Sequence, residues 1–449
     1  MNAVFVAFVL VAFLFAAVRQ VGWDGAGTES PMAALTAAML DSASGAVTLA
    51  IGLVGAMALF LGLMRVAESG GLLVIIARLL RPIMVRLFPD VPAEHPAMGA
   101  MILNLSANVL GLGNAATPFG IRAMQELDRL NPAKGTATDA MVLFLAINTA
   151  NVTVLPTSVI ALRAAMGSAD PAGIVAPTLF ATIISTAVAI VAARLLRRPP
   201  GPAGDATDRE AQRTGESSAG GDWDGLAEGG AENALEPARH IALPEDGPGG
   251  YPGWVAALAL ASVVGLVPLT VLFGRELSPW VIPSFMVFFL CFGVARRVRV
   301  YERFVEGAKD GFHVAVRIIP YLVAILVAVG MLRASGALEV LIGPIGAATA
   351  PYGVPAEALL VTLLRSLSGS GAYAAVASIL GDPETGPDTY TGYLLTTIQG
   401  STETTFYVIA VYFGAVGVRR FRHALAAGLT ADVAGLLASV AACSYLFSS

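Results

Sequence analysis

The 449 residues are 56% hydrophobic and only 13% charged, with a mean hydropathy of +0.73 and a formal net charge of −5. This balance excludes an ordinary soluble domain, and sparse Lys and Arg with no basic patch among exposed aromatics exclude nucleic-acid recognition. Cys291 and Cys443 lie in apolar stretches and read as buried, inert side chains rather than a disulfide scaffold or a thiolate metal cluster.

Taken in order, the chain reads as an all-α, polytopic integral membrane protein. Residues 2–18 are almost wholly apolar, and Asp24 and Glu29 follow with no small-residue cleavage pattern. That favours a retained transmembrane helix over a removed signal peptide. Residues 35–63 are long enough for a tilted crossing, preceded by an interfacial piece ending near residues 41–45. Arg78, Arg81 and Arg86 punctuate the aliphatic run 72–88, the pattern of a helix in the interface whose arginines reach out of the apolar layer. Amides, hydroxyls and glycines then interrupt apolar flanks at 104–118, and the device returns at 148–156 as Asn-Thr-Ala-Asn-Val-Thr-Val-Leu-Pro. Irregular backbone is tolerated at membrane depth only inside protein or beside a wet cavity. Both stretches therefore predict helices that break and restart around a site near the midplane. Residues 172–196 span fully and stop at Arg194, Arg197 and Arg198, which predicts a cytoplasmic end.

Residues 199–250 carry eleven Asp or Glu and three Arg among Gly, Pro, Ala and Ser. Such a composition cannot bury enough apolar surface to fold alone and predicts an acidic cytoplasmic tether. Residues 254–273 and 281–295 predict two helices around a turn at 274–279, ending at the cytoplasmic Arg296, Arg297 and Arg299. Residues 303–312 are charged and read as interfacial, ahead of a crossing at 314–332. Two more polar interruptions, 365–371 and 399–404, precede another arginine cluster at 419–422 and a last crossing at 424–447. The second half repeats the first in order. Val-Pro-Ala-Glu stands at 91–94 and 354–357, the interruption at 148–153 has its counterpart at 399–404, and residues 64–72 resemble 331–338. The ordered set predicts two related modules, about 64–166 and 331–418.

No catalytic nucleophile, metal cluster or phosphate loop stands out, which argues against an enzyme. His95, His240, His313 and His423 are scattered, and Ser106 and Ser368 occupy equivalent interruptions with no base in reach. The amides carry more. Asn104 and Asn108 are four apart and share a helical face, and Asn148 and Asn151 can share another. Each amide both donates and accepts, which suits a neutral polar solute or an ion; hydrogen bonding between helices is the alternative. Glu403 lies four residues after Gln399, where an ionisable group must be paired, hydrated or protonated. It fits contact with a proton, a sodium ion or a cationic substrate, or else a permanent pair with Arg365. Arg122 and Arg365 fit anionic substrate groups, with Arg122 alternatively standing beside Glu126.

Residues 104–118 resemble spore maturation protein A, and Gly-Ser-Thr-Glu-Thr-Thr-Phe-Tyr at 400–407 resembles spore maturation protein B, so the chain looks like the two fused. That family is classed with nucleoside-recognition, or gate, domains, whose relatives include concentrative nucleoside transporters and the membrane gate of the ferrous iron transporter. The resemblance implies two gate-like modules with broken helices or re-entrant hairpins, at 1–198 and 251–449 and joined by 199–250, in the bacterial inner membrane. With the residue reading, it implies secondary transport of a small polar or nucleoside-like solute without a cofactor, Glu403 being the residue suited to a coupling proton or sodium ion. A non-transporting scaffold for envelope assembly or maturation is the alternative. The expected solute-binding set is Asn104, Ser106, Asn108, Asn148, Asn151, Arg365, Ser368, Gln399 and Glu403. Expected partners are membrane lipids and the solute, and a gate-like protein is compatible with a homodimer.

Overall fold

The computed structural model describes residues 2–25, 29–111, 113–197 and 250–447, and every regular element among them is helical. The acidic stretch expected to be a cytoplasmic tether lies almost entirely outside the described residues. α1 (Asn2–Val21) precedes a series formed by α2 (Pro31–Ser69), α3 (Leu72–Leu87), α4 (Pro96–Val109), α5 (Gly113–Arg129), α6 (Asp139–Thr149), α7 (Thr157–Ala165) and α8 (Val175–Leu195). After α9 (Gly253–Ala295), the series recurs as α10 (Val300–Ala334), α11 (Ala337–Thr349), α12 (Ala356–Leu367), α13 (Gly369–Leu380), α14 (Tyr390–Ser401), α15 (Thr405–Gly414) and α16 (Ala424–Phe447). In each series a long helix and a short one are followed by two broken pairs and a closing span. The repeat legible in the middle of each half thus extends to the helices on either side.

Counterpart helices run in opposite directions. Along α2 and α10, Gly330 sits beside Ala38 and Ser42, Gly311 beside Met57 and Ala58, and Gly307 beside Leu61 and Arg65. Along α8 and α16, Ser185 Oγ donates to Ala431 O, while Ala193 O meets His423 Nε2. The modules are therefore inverted copies about an axis in the membrane plane, a plan shared by many membrane transporters. Close approach of α2 and α10 depends on small residues. A Cβ on Gly311 would stand 2.6 Å from Met57 O and 2.7 Å from Ala58 Cα, both backbone atoms that cannot rotate away. Gly311→Val should lower stability by about 1–3 kcal/mol or more, read as detergent-solubilised unfolding, whereas the same change at Gly45, which has open space around it, should be tolerated far better.

Two loop clasps tie the modules together. In one, Gly135 O accepts the Arg419 and Arg420 N–H groups, and Arg422 pairs with Asp139 at 2.6 Å. In the other, Asp388 accepts from Arg163 at 3.0 Å and from the Ala169 N–H at 2.7 Å. α8 has 21 residues, about 31 Å of helix, and runs from the second clasp to the first, so the clasps lie on opposite membrane faces. It follows that α6–α7 and α14–α15 are broken spans. The α4–α5 and α12–α13 pairs are hairpins that enter from opposite faces and return. Among the described residues, five helical segments, α2, α8, residues 276–295 of α9, α10 and α16, are individually long and apolar enough to cross.

Four sequence expectations are corrected. α2 runs uninterrupted through residues 41–45, with no separate interfacial piece. Residues 303–312 are continuous with the crossing at 314–332 as the first turns of α10, where Glu306 pairs with Arg65 and Arg303 at 2.6 and 2.7 Å and Gly307 and Gly311 press on α2. Residues 274–279 stay helical, and Phe273 (φ −119, ψ 16) alone leaves helical geometry. The reversal expected there still occurs, since the Tyr251 N–H just before α9 meets Arg78 O in the middle of α3 and Arg296 just after it meets Gly70 O at the α2–α3 corner, too close together for 43 residues of straight helix. Cys291 is exposed on α9, and only Cys443 is buried.

Candidate functional site

The four interruptions meet at one place, each for a local reason. Gly111 takes φ +75, and a Cβ there would lie 2.8 Å from Leu155 O, so only glycine lets the first break touch the second. Val154 N–H donates to Val109 O across the same contact. Ser368 (φ −156, ψ 113) is a one-residue break, closing α12 and capping α13 by accepting the Gly371 N–H at 3.1 Å. At the fourth break the Glu403 N–H donates to Thr149 O at 2.8 Å, satisfying a carbonyl that the end of α6 leaves open.

These breaks enclose a cavity of about 380 Å³, within the range of small-molecule sites. Asn108, Asn151, Arg365, Gln399 and Glu403 supply its polar wall, and Met57 and Leu61 of α2 with Ile318 and Leu322 of α10 supply an apolar one. Tyr321 and Tyr373 add aromatic surface, and Ser158 and Ser370 add groups from the first turns of α7 and α13. Arg365 is central. Its Nη2 stands 3.4 Å from Glu403 Oε2 and donates to Thr402 O, and Nη1 reaches Thr404 Oγ1 at 3.4 Å. Arg365 Nε and Gln399 Oε1 are both enclosed and have no hydrogen-bond partner. Each is a buried polar group left unsatisfied on a residue that lines the cavity.

The expected site residues divide. Asn108, Asn151, Arg365, Gln399 and Glu403 line the cavity, and the Arg365–Glu403 pair weighed from the sequence is formed. Asn104 instead donates to Ala116 O and to Tyr412 Oη, at 2.8 and 3.2 Å. Asn148 sits behind Asn108, accepting its amide at 3.0 Å and donating to Phe144 O. Asn151 lies beyond the end of α6 and does not share a face with Asn148. Ser106 bonds back to Ile102 O, and Ser368 is the α13 cap. Arg122 is exposed, and Glu126 pairs with Arg129 at 2.8 Å.

Sequence reasoning passed over three residues. Tyr412 packs into the space above Gly120 and bridges Asn104 and Asn148, which positions the first two breaks. Arg163, wholly buried, holds the second clasp. Asp432 is a buried carboxylate within the α16 span, and a lone acid in a run of Ala, Val, Gly and Leu was the signal that marked it. Among the described residues no group of three or more His, Cys, Asp or Glu is placed to hold a metal ion.

Comparison with known proteins agrees with this duplicated plan. A family profile for nucleoside-recognition (Gate) domains matches residues 50–166 and 315–419, which take in the four interruptions. The chain is 42% identical over 182 residues to spore maturation protein A of Bacillus subtilis (strain 168), covering 40% of this chain and 93% of that protein. It is also 42% identical over 173 residues to spore maturation protein B of the same organism, covering 38% of this chain and 96% of that protein. Neither relative is named as an enzyme. No solved structure matches. The membrane-spanning helices and the gate-domain matches support a channel- or transport-like role toward a small solute, in a multi-pass protein of the bacterial inner membrane surrounded by lipid. The chain belongs to the spore maturation protein family, as a fusion of an A-like and a B-like module with a nucleoside-recognition (gate) domain towards each end.

Proposed function

We propose that the protein is a secondary transporter that carries a small polar, nucleoside-like solute across the inner membrane, with an ion moving through the Arg365–Glu403 pair. The observation that carries this reading is the cavity at the meeting of the four breaks, with Gln399 Oε1 and Arg365 Nε enclosed and unpartnered. Amide donors and acceptors on one wall and aliphatic and tyrosine side chains on the other suit a solute with a hydrogen-bonding edge and an apolar face. A nucleobase carried on a sugar has that character. The first turns of α7 and α13 border the same space, and the positive ends of their dipoles favour oxygen acceptors on the solute.

In this reading the working unit is residues 1–198 and 251–449, joined by the acidic tether at 199–250. The inverted modules exchange access between the two faces by opening one clasp at a time. One chain supplies all four breaks, so the mechanism requires no second copy. The scaffold alternative draws on Asn104, Ser106 and Asn148, which do serve as internal glue. The deciding experiment places the purified chain in liposomes and screens nucleosides, nucleobases and neutral amino acids for uptake and for thermal stabilisation. A nucleoside taken up by the intact chain, and neither taken up nor stabilising in Gln399→Leu, is the expected result. A folded chain that neither moves nor is stabilised by any of the panel would favour the scaffold.

A further inference from the structure

Behind the cavity wall, Asp432 lies in the middle of α16 and is 6% exposed. Its Oδ2 accepts two hydrogen bonds, from Ser366 Oγ of α12 at 2.7 Å and from Thr405 Oγ1 of α15 at 2.9 Å. Its Oδ1 is enclosed and has no partner. The counterpart helix α8 carries Thr178, Thr182 and Ser185 but no carboxylate, so the duplicated packing does not call for one. An ionised carboxylate so placed would keep half its charge without a donor, where neither water nor lipid supplies one. A neutral carboxylic acid fits the observed partners. Oδ2 is then the carbonyl oxygen that both hydroxyls address, and Oδ1 carries the hydrogen.

The two donors also connect Asp432 to the cavity. Ser366 follows Arg365 in the chain, and Thr405 follows the break that holds Glu403. α6, α8, α12, α14 and α15 all pack against α16, and from them Arg365 is the charged group that acts on Asp432. Arg365 is itself held by Glu403 at 3.4 Å on its cavity side. Arg365 thus pairs with one carboxyl group, Glu403, and adjoins in the chain the Ser366 that holds the other.

We propose that Asp432 is a proton-binding site, loaded while Glu403 holds Arg365 and emptied when Arg365 is released from Glu403. On emptying, the O–H bond of Oδ1 breaks, its electron pair stays on the carboxylate, and the proton passes to water admitted from the cavity. The freed guanidinium neutralises the new charge. A solute that engages Glu403 in place of Arg365 expels the proton, and by reciprocity a loaded Asp432 disfavours that solute. This coupling step rests on the transport reading. The proton site itself does not.

Infrared spectroscopy of the full chain in lipid tests both parts without any solute. At neutral pH the wild type should show the C=O stretch of a protonated carboxyl group, and Asp432→Asn should abolish it. Glu403→Gln frees Arg365 to act on Asp432, and the band at neutral pH should shrink about tenfold or more, the effect of one nearby opposite charge. If Asp432→Asn does not fold, Ser366→Ala serves instead: it removes one donor from Oδ2 and should move the band to higher frequency without abolishing it. A wild type with no such band, or a band indifferent to both Asp432→Asn and Ser366→Ala, overturns the proton site. A band indifferent to Glu403→Gln overturns its link to Arg365. Uptake without the band defeats this proposal alone, and the band without uptake defeats the transport reading alone.

Discussion

Arg163→Met should lower the stability of the chain by about 3–5 kcal/mol, because it takes the donor from several enclosed acceptors at once. The guanidinium is 0% exposed, donates to Pro387 O, Asp170 O, Ser168 Oγ and Thr396 Oγ1, pairs with Asp388 at 3.0 Å, and lies 4.1 Å from the centre of the Tyr393 ring. Methionine fills much of the volume and satisfies none of these acceptors. Asp388 is partly exposed and can be hydrated, so Asp388→Asn should have the smaller effect, nearer 1 kcal/mol. Arg163→Lys keeps the charge without the planar fork and should fall between the two. Unfolding in detergent, followed by far-ultraviolet circular dichroism, measures all three. A loss under about 1 kcal/mol for Arg163→Met would mean that this clasp does not hold the modules together.

Glu403→Gln should leave the fold intact and reduce directed uptake about ten- to hundredfold, corresponding to the 1.5–3 kcal/mol typical of a hydrogen bond to a charged group. The side chain lines the cavity and is 46% exposed, so glutamine keeps its size and loses only the charge that holds Arg365. The dependence of uptake on a proton or sodium gradient should disappear with it. Unchanged uptake and unchanged ion dependence would remove Glu403 from the mechanism. A chain that fails to fold, and is rescued by adding Arg365→Gln, would make the pair structural.

The positions of all four interruptions were legible in the sequence because amides, hydroxyls, Gly and Pro stand out against apolar flanks. Their order gave away the duplication as well. The inversion was hidden, since similarity between two stretches says nothing about their direction in space; it became visible only where Gly330 met Ser42 and Gly307 met Leu61. The amides show a finer limit. Asn104 and Asn108 belong to one motif and one helix, yet Asn104 is engaged by Tyr412, 308 residues away, while Asn108 reaches the cavity. Nothing local separates them.

Charge misled in both directions. Residues 303–312 resembled a boundary because their neutralising partner, Arg65, is 241 residues from Glu306. Arg163 gives no local signal, since it stands near the end of a short helix where arginine is ordinary, whereas Asp432 does give one as a single acid in a long apolar run. Their weight comes from loops and breaks that only the fold delivers, Asp388 for the first and Ser366 with Thr405 for the second.

The reversal at Phe273 bears on how the chain is threaded into lipid during synthesis. From α2 onward the first module makes one pass in α2, none in the α4–α5 hairpin, one in α6–α7 and one in α8. That odd number already delivers the chain to the face from which the second module must start if it is to be inserted upside down. α9 goes out and back, so it adds an even number and leaves the parity untouched. Excising all of α9 would preserve the handedness of insertion. Excising residues 276–295 alone would present α10 to the translocation machinery from the wrong side, and α2 would meet it parallel instead of antiparallel, with no counterpart seam to close.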